Sequence, residues 1–237
     1  MAQGARNENI HGHSGWLIPA VFLFAVMLLS GLLLGWYLRP GPKAPATLTG
    51  QSDLVPVTVG ALSLEVPANY IQNPAARAGG EQDSLALAAF FPSWDGYSPQ
   101  MARQFQGNAP DSGLIRILIR HDSNSMDAAT RLARIYRPYL LGLEGVAGLF
   151  DLRQYSFAPA SGYEKNDLFV GGKDQHMLLL LCERSATNLP SPNCQATDRP
   201  LAGGASYSFR FKRAYLSRWR EVSAGVDALI ARFKKTD

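Results

Sequence analysis

Residues 16–38 read WLIPAVFLFAVMLLSGLLLGWYL, and the phenol of Tyr37 is the only ionisable group among them. A helix of these residues rises about 34 Å, which is enough to cross the roughly 30 Å hydrocarbon core of a bilayer. Trp16 stands at one end and Trp36 with Tyr37 at the other, where aromatic rings favour the headgroup level. The run therefore predicts a single transmembrane helix, with the lipid bilayer as one partner of the chain.

A cleaved signal peptide is the alternative interpretation of this run. The segment Ala44-Pro45-Ala46 offers a small-residue cleavage site a few positions downstream. However, the apolar part of a signal peptide is about 7–15 residues long, and this run is longer. We therefore expect an anchor that stays uncleaved.

The rest of the chain has the composition of one folded domain. Of the 237 residues, we assign 1–15 to a short N-terminal tail, 16–38 to the transmembrane helix, 39–53 to a Pro/Gly-rich tether and 54–237 to a single domain. The overall apolar fraction of 46% and charged fraction of 18% are those of a globular protein with an anchor added. A domain of about 180 residues can bury a core without metals or many disulfides.

Hydrophobic periodicity predicts more strands than helices in this domain. Alternating or continuous apolar runs indicate strands at residues 55–59, 62–66, 84–91, 114–120, 152–157, 168–170, 175–182 and 207–211. Residues 93–113 are rich in turn formers and predict a loop. A helix capped by Ser125 and a final helix over residues 215–233 carry apolar stripes at helical spacing. We predict an α+β fold, with a mostly antiparallel sheet and two or more amphipathic helices.

The two cysteines bear on where this domain resides. Cys182 and Cys194 flank the polar segment ERSATNLPSPN, which can turn back and bring the sulfurs together. We predict a disulfide, with two separate buried thiols as the alternative. Disulfides persist in oxidising compartments, so we place the domain in the periplasm and the tail in the cytoplasm, with the span in a bacterial inner membrane. Arg39 and Lys43 follow the span while only Arg6 precedes it, and that count favours the opposite orientation.

Positive charge is concentrated at the C-terminal end. Residues 44–209 hold 12 basic and 15 acidic side chains, whereas residues 210–237 hold 8 basic and 3 acidic ones. The chain lacks a basic stripe with interleaved stacking aromatics, so nucleic acid is not expected as a partner. The last helix provides a candidate basic surface for anionic headgroups, an acidic polymer or an acidic partner, or merely a solvated face. Its residues are Arg213, Arg218, Arg220, Arg232, Lys234 and Lys235.

Few residues suggest catalysis or metal binding. His121, Asp122 and Ser123 resemble the parts of a hydrolytic triad, but sequence neighbours seldom take the geometry that those roles need, and no nucleophile-elbow motif is present. Two cysteines cannot complete a zinc site. His11 and His13, in the tail, are the remaining metal candidates, and we interpret them as incidental polar residues. No cofactor or metal is expected, and the chain is not expected to be an enzyme.

A binding function is the interpretation that remains. Gly31 and Gly35 form a G-x-x-x-G spacing in the span, which allows close packing of two helices. We predict a membrane-anchored domain that binds a membrane or envelope protein, for example as an accessory or assembly subunit of an envelope complex. A sensor domain that binds a small molecule or lipid is the alternative, and a hydrolase using His121, Asp122 and Ser123 comes third.

Overall fold

The structure is a computed structural model that describes residues 16–38, 48–186 and 190–235. It divides the chain into two compact units, Met1–Pro45 and Ala46–Asp237. The predicted tail with His11 and His13, and residues 39–47 of the predicted tether, lie outside the described residues.

The first unit contains the apolar helix α1 (Leu17–Tyr37). Its length and composition suffice for a membrane span over Ile18–Tyr37, and the apolar window within it is not buried against protein. Large side chains such as Phe22 and Leu32 are exposed all round the helix. The single N-terminal apolar helix is therefore confirmed, while its insertion in a bilayer stays a prediction.

The second unit begins with a small three-stranded sheet. Strands β1 (Leu54–Val59) and β2 (Leu62–Pro67) pair as an antiparallel hairpin. β3 (Gly80–Glu81) adds to β1 in parallel. The hairpin turns at Gly60, whose φ of +61° is poorly tolerated by residues with a Cβ.

A larger sheet of eight strands forms the centre of this unit. Their order is β4-β5-β11-β10-β9-β8-β7-β6, and each neighbouring pair is antiparallel. The predicted α+β class with a mostly antiparallel sheet is confirmed. The strands are β4 (Ser84–Phe90), β5 (Leu114–His121), β6 (Val146–Ala147), β7 (Arg153–Ser156), β8 (Asn166–Gly171), β9 (Leu178–Glu183), β10 (Asn193–Leu201) and β11 (Ala205–Lys212).

The inner face of the large sheet packs against the small sheet and the last helix. That helix begins with a 3₁₀ segment, Arg213–Arg218, and continues as α4 (Trp219–Phe233). Its predicted apolar stripe is confirmed, because Leu216 and the apolar positions of α4 from Trp219 to Phe233 are buried. The alternating aromatic row of β11 also lies in this core, as predicted.

Within the described residues, helical segments cover the two ends of the outer face of the large sheet. At one end, a 3₁₀ turn, Pro99–Met101, leads into α2 (Ala102–Gln106), which packs Phe105 on Ala88 and Leu114. At the other end, α3 (Ala128–Arg131) continues through a π-helical turn, Leu132–Tyr136, and packs Tyr136 on β8 and β9. None of the helices that the structure describes covers the middle of this face, where Arg116 and Arg210 are exposed.

Two local predictions are wrong. Asp127, and not Ser125, caps α3, because its carboxylate accepts hydrogen bonds from the Thr130 N–H and hydroxyl at 2.8 Å each. The predicted loop at residues 93–113 contains α2.

Candidate binding site

A cleft of about 550 Å³ opens where β10, α3 and α4 meet. A bulge in β10 between Ala196 and Arg199 shifts its pairing with β11, and such a bulge redirects the side chains that follow it. Arg199 reaches α4 after this bulge. The cleft is lined by Asp127, Ala128, Ala129, Asp174, Met177, Arg199, Pro200, Leu201, Tyr207, Asp227, Ile230, Ala231 and Lys234.

One wall of the cleft is a polar network centred on Asp227. The Arg199 guanidinium donates to both Asp227 carboxylate oxygens, at 2.9 and 3.1 Å, and to the Ser223 hydroxyl at 3.3 Å. The Tyr207 hydroxyl also donates to Asp227, and the Arg199 guanidinium lies 5.2 Å from the centre of the Tyr207 ring. Burial, and then the hydrogen bond to Asp227, raise the pKa of Tyr207 well above its usual value. The network therefore presents a neutral phenol and a paired charge.

A smaller, apolar groove of about 210 Å³ continues from this cleft. The two share Ala129 and Met177 in their walls, so they form one surface, which we call the α3 groove. The apolar part runs along α3 and its π-helical turn. It is lined by Ala129, Leu132, Ala133, Arg137, Leu140, Leu143, Tyr155 and Met177.

The α3 groove ends at a segment with unusually exposed apolar side chains. Residues 140–150, the apolar edge segment, include β6 at the edge of the large sheet. In it Leu141 is 66% exposed, Leu143 60%, Val146 72% and Leu149 75%. Large apolar side chains gathered on one stretch of surface mark interaction sites more often than scattered ones do.

The backbone of the apolar edge segment is nevertheless well held. The Leu141 N–H donates to the Ser156 carbonyl at 2.9 Å. The Arg153 guanidinium donates to the Glu144 carbonyl at 2.6 Å, and the Trp219 indole N–H donates to the Phe150 carbonyl at 3.0 Å. The segment therefore presents its apolar side chains on a fixed framework.

The structure separates the three residues of the predicted hydrolytic triad. His121 ends β5, and its ring lies beside the Gly60 turn, where an added Cβ would approach Nδ1 to 2.5 Å. The Asp122 carboxylate accepts from the Ser206 hydroxyl at 3.2 Å and from the Asn124 N–H at 3.3 Å. In the described part of the chain, no hydrogen bond joins the His121 ring to Asp122 or Ser123. This arrangement fits loop organisation and shows no activated nucleophile.

The two cysteines lie at disulfide distance. Cys182 on β9 is the direct partner of Cys194 on β10, and their sulfurs are 1.99 Å apart. The sequence suggested a loop that turns back, and the strand pairing accounts for how it does so. Within the described ranges, no group of three or more His, Cys, Asp or Glu side chains could hold a metal ion.

The predicted basic surface is not a uniform solvated face, and Arg213 does not belong to it. Arg213 lies before α4 and is half-buried, with its guanidinium bound to the Asp167 carboxylate at 2.8 Å and to the Glu183 carbonyl at 2.7 Å. These two contacts connect the start of the final helix to β8 and β9. Arg213 can make them because it directly follows β11.

The other predicted basic residues differ in their contacts. Arg218 pairs with Glu221 at 2.7 Å and Arg220 with Asp151 at 3.1 Å. Arg232 donates to the Tyr70 hydroxyl at 3.1 Å. The side chains of Lys234 and Lys235 are exposed, and Lys234 lines the cleft.

The glycines of the predicted helix-packing motif face open space. A Cβ added at Gly31 or Gly35 would meet no atom within 4 Å. A close helix–helix contact at these positions stays a prediction.

Sequence reasoning missed the residues of the α3 groove. Arg199, Tyr207 and Asp227 are brought together only by the tertiary fold. A signal for the apolar edge segment did exist, since Leu141, Leu143 and Val146 follow one another in a stretch interrupted by glycines. Large apolar residues in a loop need either burial or a partner.

No protein-family model and no curated protein matches this sequence. The fold is similar to that of Smlt3025, an immunity protein of the Stenotrophomonas maltophilia type IV secretion system, with a TM-score of 0.55, 18% identity, and coverage of 83% of this chain and 100% of that one. The Neisseria meningitidis iron-regulated outer membrane lipoprotein FrpD also matches, with a TM-score of 0.48, 11% identity, and coverage of 81% of this chain and 97% of that one.

Proposed function

We propose that this protein is a membrane-anchored, non-enzymatic domain that binds another protein of the bacterial cell envelope through the α3 groove and the apolar edge segment next to it. In this proposal α1 crosses the inner membrane, the tail is cytoplasmic, and the second unit lies in the periplasm. The observation that carries it is the apolar edge segment, whose large side chains are exposed although its backbone is held by the sheet and by Trp219.

The groove has the composition expected of a protein-binding surface. Apolar side chains such as Leu143 in the groove and Leu149 in the apolar edge segment can lose water to a partner, and full burial of one contributes about 1.5–3 kcal/mol. At the other end of the groove, the Arg199–Asp227 ion pair and the Tyr207 hydroxyl can form hydrogen bonds with a partner. Polar groups of this kind contribute more to the specificity of binding than to its affinity. A centre that excludes water, bordered by polar groups, is the usual anatomy of an interface.

Photo-crosslinking in cells that make the full-length protein tests this proposal. A benzophenone amino acid replaces Leu143 or Leu149, and the matched control replaces Gln106, which is exposed on α2 at the other end of the outer face. We expect discrete crosslinked protein bands from positions 143 and 149 and none from the control. Equal labelling at all three positions, or no crosslinked protein from positions 143 and 149, would refute binding on this surface.

An immunity-type role is the narrower version that the fold favours. The fold of this chain aligns with the whole of the Stenotrophomonas immunity protein, and we propose that the bound partner is a toxin delivered to the envelope. The test is survival of a strain lacking this protein when grown in contact with its parent. We expect killing that is rescued by the wild type and by Gln106→Asp, but not by Leu143→Asp/Leu149→Asp. Full survival without the protein would end this version.

A small-molecule sensor is the second candidate, because a cleft of about 550 Å³ falls within the size range of ligand pockets. Mass spectrometry of the protein purified from membranes under native conditions tests it. A retained small molecule that is lost in Asp227→Ala would favour the sensor, provided that positions 143 and 149 give no protein crosslink.

A further inference from the structure

The open middle of the outer sheet face carries two arginines directly opposite each other. Arg116 on β5 is the register partner of Arg210 on β11. Both side chains are exposed, and neighbouring Leu118 is 38% exposed. We call Arg116, Leu118, Gln195 and Arg210 the sheet window, since α2 and α3 cover the face on either side of it.

A third cation, Lys212, lies two residues after Arg210 on the same face of β11. Lys212 is only 4% exposed, and its ammonium donates to the Asn108 side-chain oxygen at 2.5 Å and to the Ser191 carbonyl at 3.3 Å. Burial first, and then Arg210 and Arg116, lower the pKa of Lys212. The three cations therefore act on one another through the same face of the sheet.

One carboxylate near the window offsets part of this charge. Glu183 forms an ion pair with Arg210 at 3.2 Å, and its second oxygen accepts from the Asn193 backbone at 2.7 Å and side chain at 2.8 Å. No carboxylate of the described residues lies within ion-pair distance of Arg116. Like charges directly opposite on neighbouring strands destabilise a sheet, so the window holds an excess of positive charge at a cost to the fold.

We propose that the sheet window binds an acidic segment of a partner protein, whose carboxylates bridge Arg116 and Arg210. Guanidinium groups bind carboxylates with paired, charge-assisted hydrogen bonds. An extended acidic segment suits a sheet face, because alternate residues of a strand point the same way. The window is separate from the α3 groove, and its occupation does not depend on the function proposed for the groove.

Fluorescence anisotropy with the full-length protein in uncharged phosphatidylcholine nanodiscs tests this proposal. The probe is a fluorescein-labelled peptide of alternating glutamate and threonine, and its control carries glutamine in place of glutamate. We expect saturable binding of the glutamate peptide alone. Arg116→Gln/Arg210→Gln should weaken it about tenfold or more, the size of one lost charge-assisted contact.

Arg218→Gln/Arg220→Gln is the matched control, because it removes two exposed arginines of the final helix. It should leave peptide affinity within about twofold, as expected of side chains with no part in the contact. The window variant should unfold at about the same temperature as the wild type, because relief of the like-charge pair offsets the loss of the exposed Arg210–Glu183 ion pair. Equal loss in both double variants, or no peptide binding by the wild type, would overturn the proposal. The proposal would also be overturned if the protein bound phosphatidylglycerol nanodiscs but not the peptide, and if Arg116→Gln/Arg210→Gln abolished that lipid binding.

Discussion

Gly225 of α4 offers the sharpest test of how the groove wall is held. A Cβ built at Gly225 would lie 1.9 Å from Cζ2 and 2.1 Å from Cε2 of Trp94, so the indole packs directly on the helix backbone. The backbone of Trp94 is held on both sides. Its amide N–H donates to the Phe90 carbonyl at 2.7 Å, and its carbonyl accepts from the Tyr70 hydroxyl at 3.0 Å. We therefore expect Gly225→Ala to destabilise the domain.

The magnitude follows from two opposing effects. Alanine in place of glycine favours a helix by about 1 kcal/mol. To accept the methyl group the indole must move by more than about 1 Å, and forced repacking of this kind costs about 1–3 kcal/mol or more. We expect a net loss of up to about 2 kcal/mol, which for a domain of this size lowers Tm by up to roughly 8 °C.

The assay is thermal unfolding of the full-length protein in detergent, followed by near-ultraviolet circular dichroism, in two backgrounds. With Trp94→Ala the obstacle is gone, and Gly225→Ala should then stabilise by up to about 1 kcal/mol through helix propensity alone. The reasoning fails if Gly225→Ala has the same sign in both backgrounds.

Three further predictions concern the stability of the domain. Asp167→Ala should cost about 3 kcal/mol in urea unfolding, because it leaves the half-buried Arg213 unpaired, and a loss below 0.5 kcal/mol would contradict this. Burial raises the pKa of Tyr136 to about 12, so the folded state keeps that proton while the unfolded state loses it above about pH 10. The free energy of unfolding should thus fall as pH rises from 10 toward 12, and Tyr136→Phe should lessen this fall; an unchanged slope would count against it. Replacing Cys182 and Cys194 by alanine should lower the free energy of unfolding by about 2–3 kcal/mol, and an unchanged midpoint in urea would show that the pair does not constrain the unfolded chain.

The elements that the sequence predicts are those with a strong apolar period. Apolar residues alternate along β5 and β11, and they recur every three or four residues along α4. These spacings place the apolar side chains on one face of each element, so the buried face could be predicted. β10 was missed because NCQATDRPL is polar and contains Pro200. It is a strand because β9 and β11 pair with it on both sides, and no local pattern encodes that.

The site was much less accessible to sequence reasoning. Asp227 meets Arg199 across 28 positions of the chain. Arg116 faces Arg210 only because β5 and β11 are neighbours in one particular register. Charged residues on alternating strands read as an ordinary solvated face until that register is known.

The account rests on a chain that stays in the membrane and exposes its folded domain to an oxidising compartment. Alkaline extraction of membranes, combined with alkylation of thiols by a maleimide in intact cells, tests both parts at once. We predict that the full-length chain stays with the membrane and that Cys182 and Cys194 react only after reduction. A chain released into the soluble fraction, or thiols that react without reductant, would contradict the account.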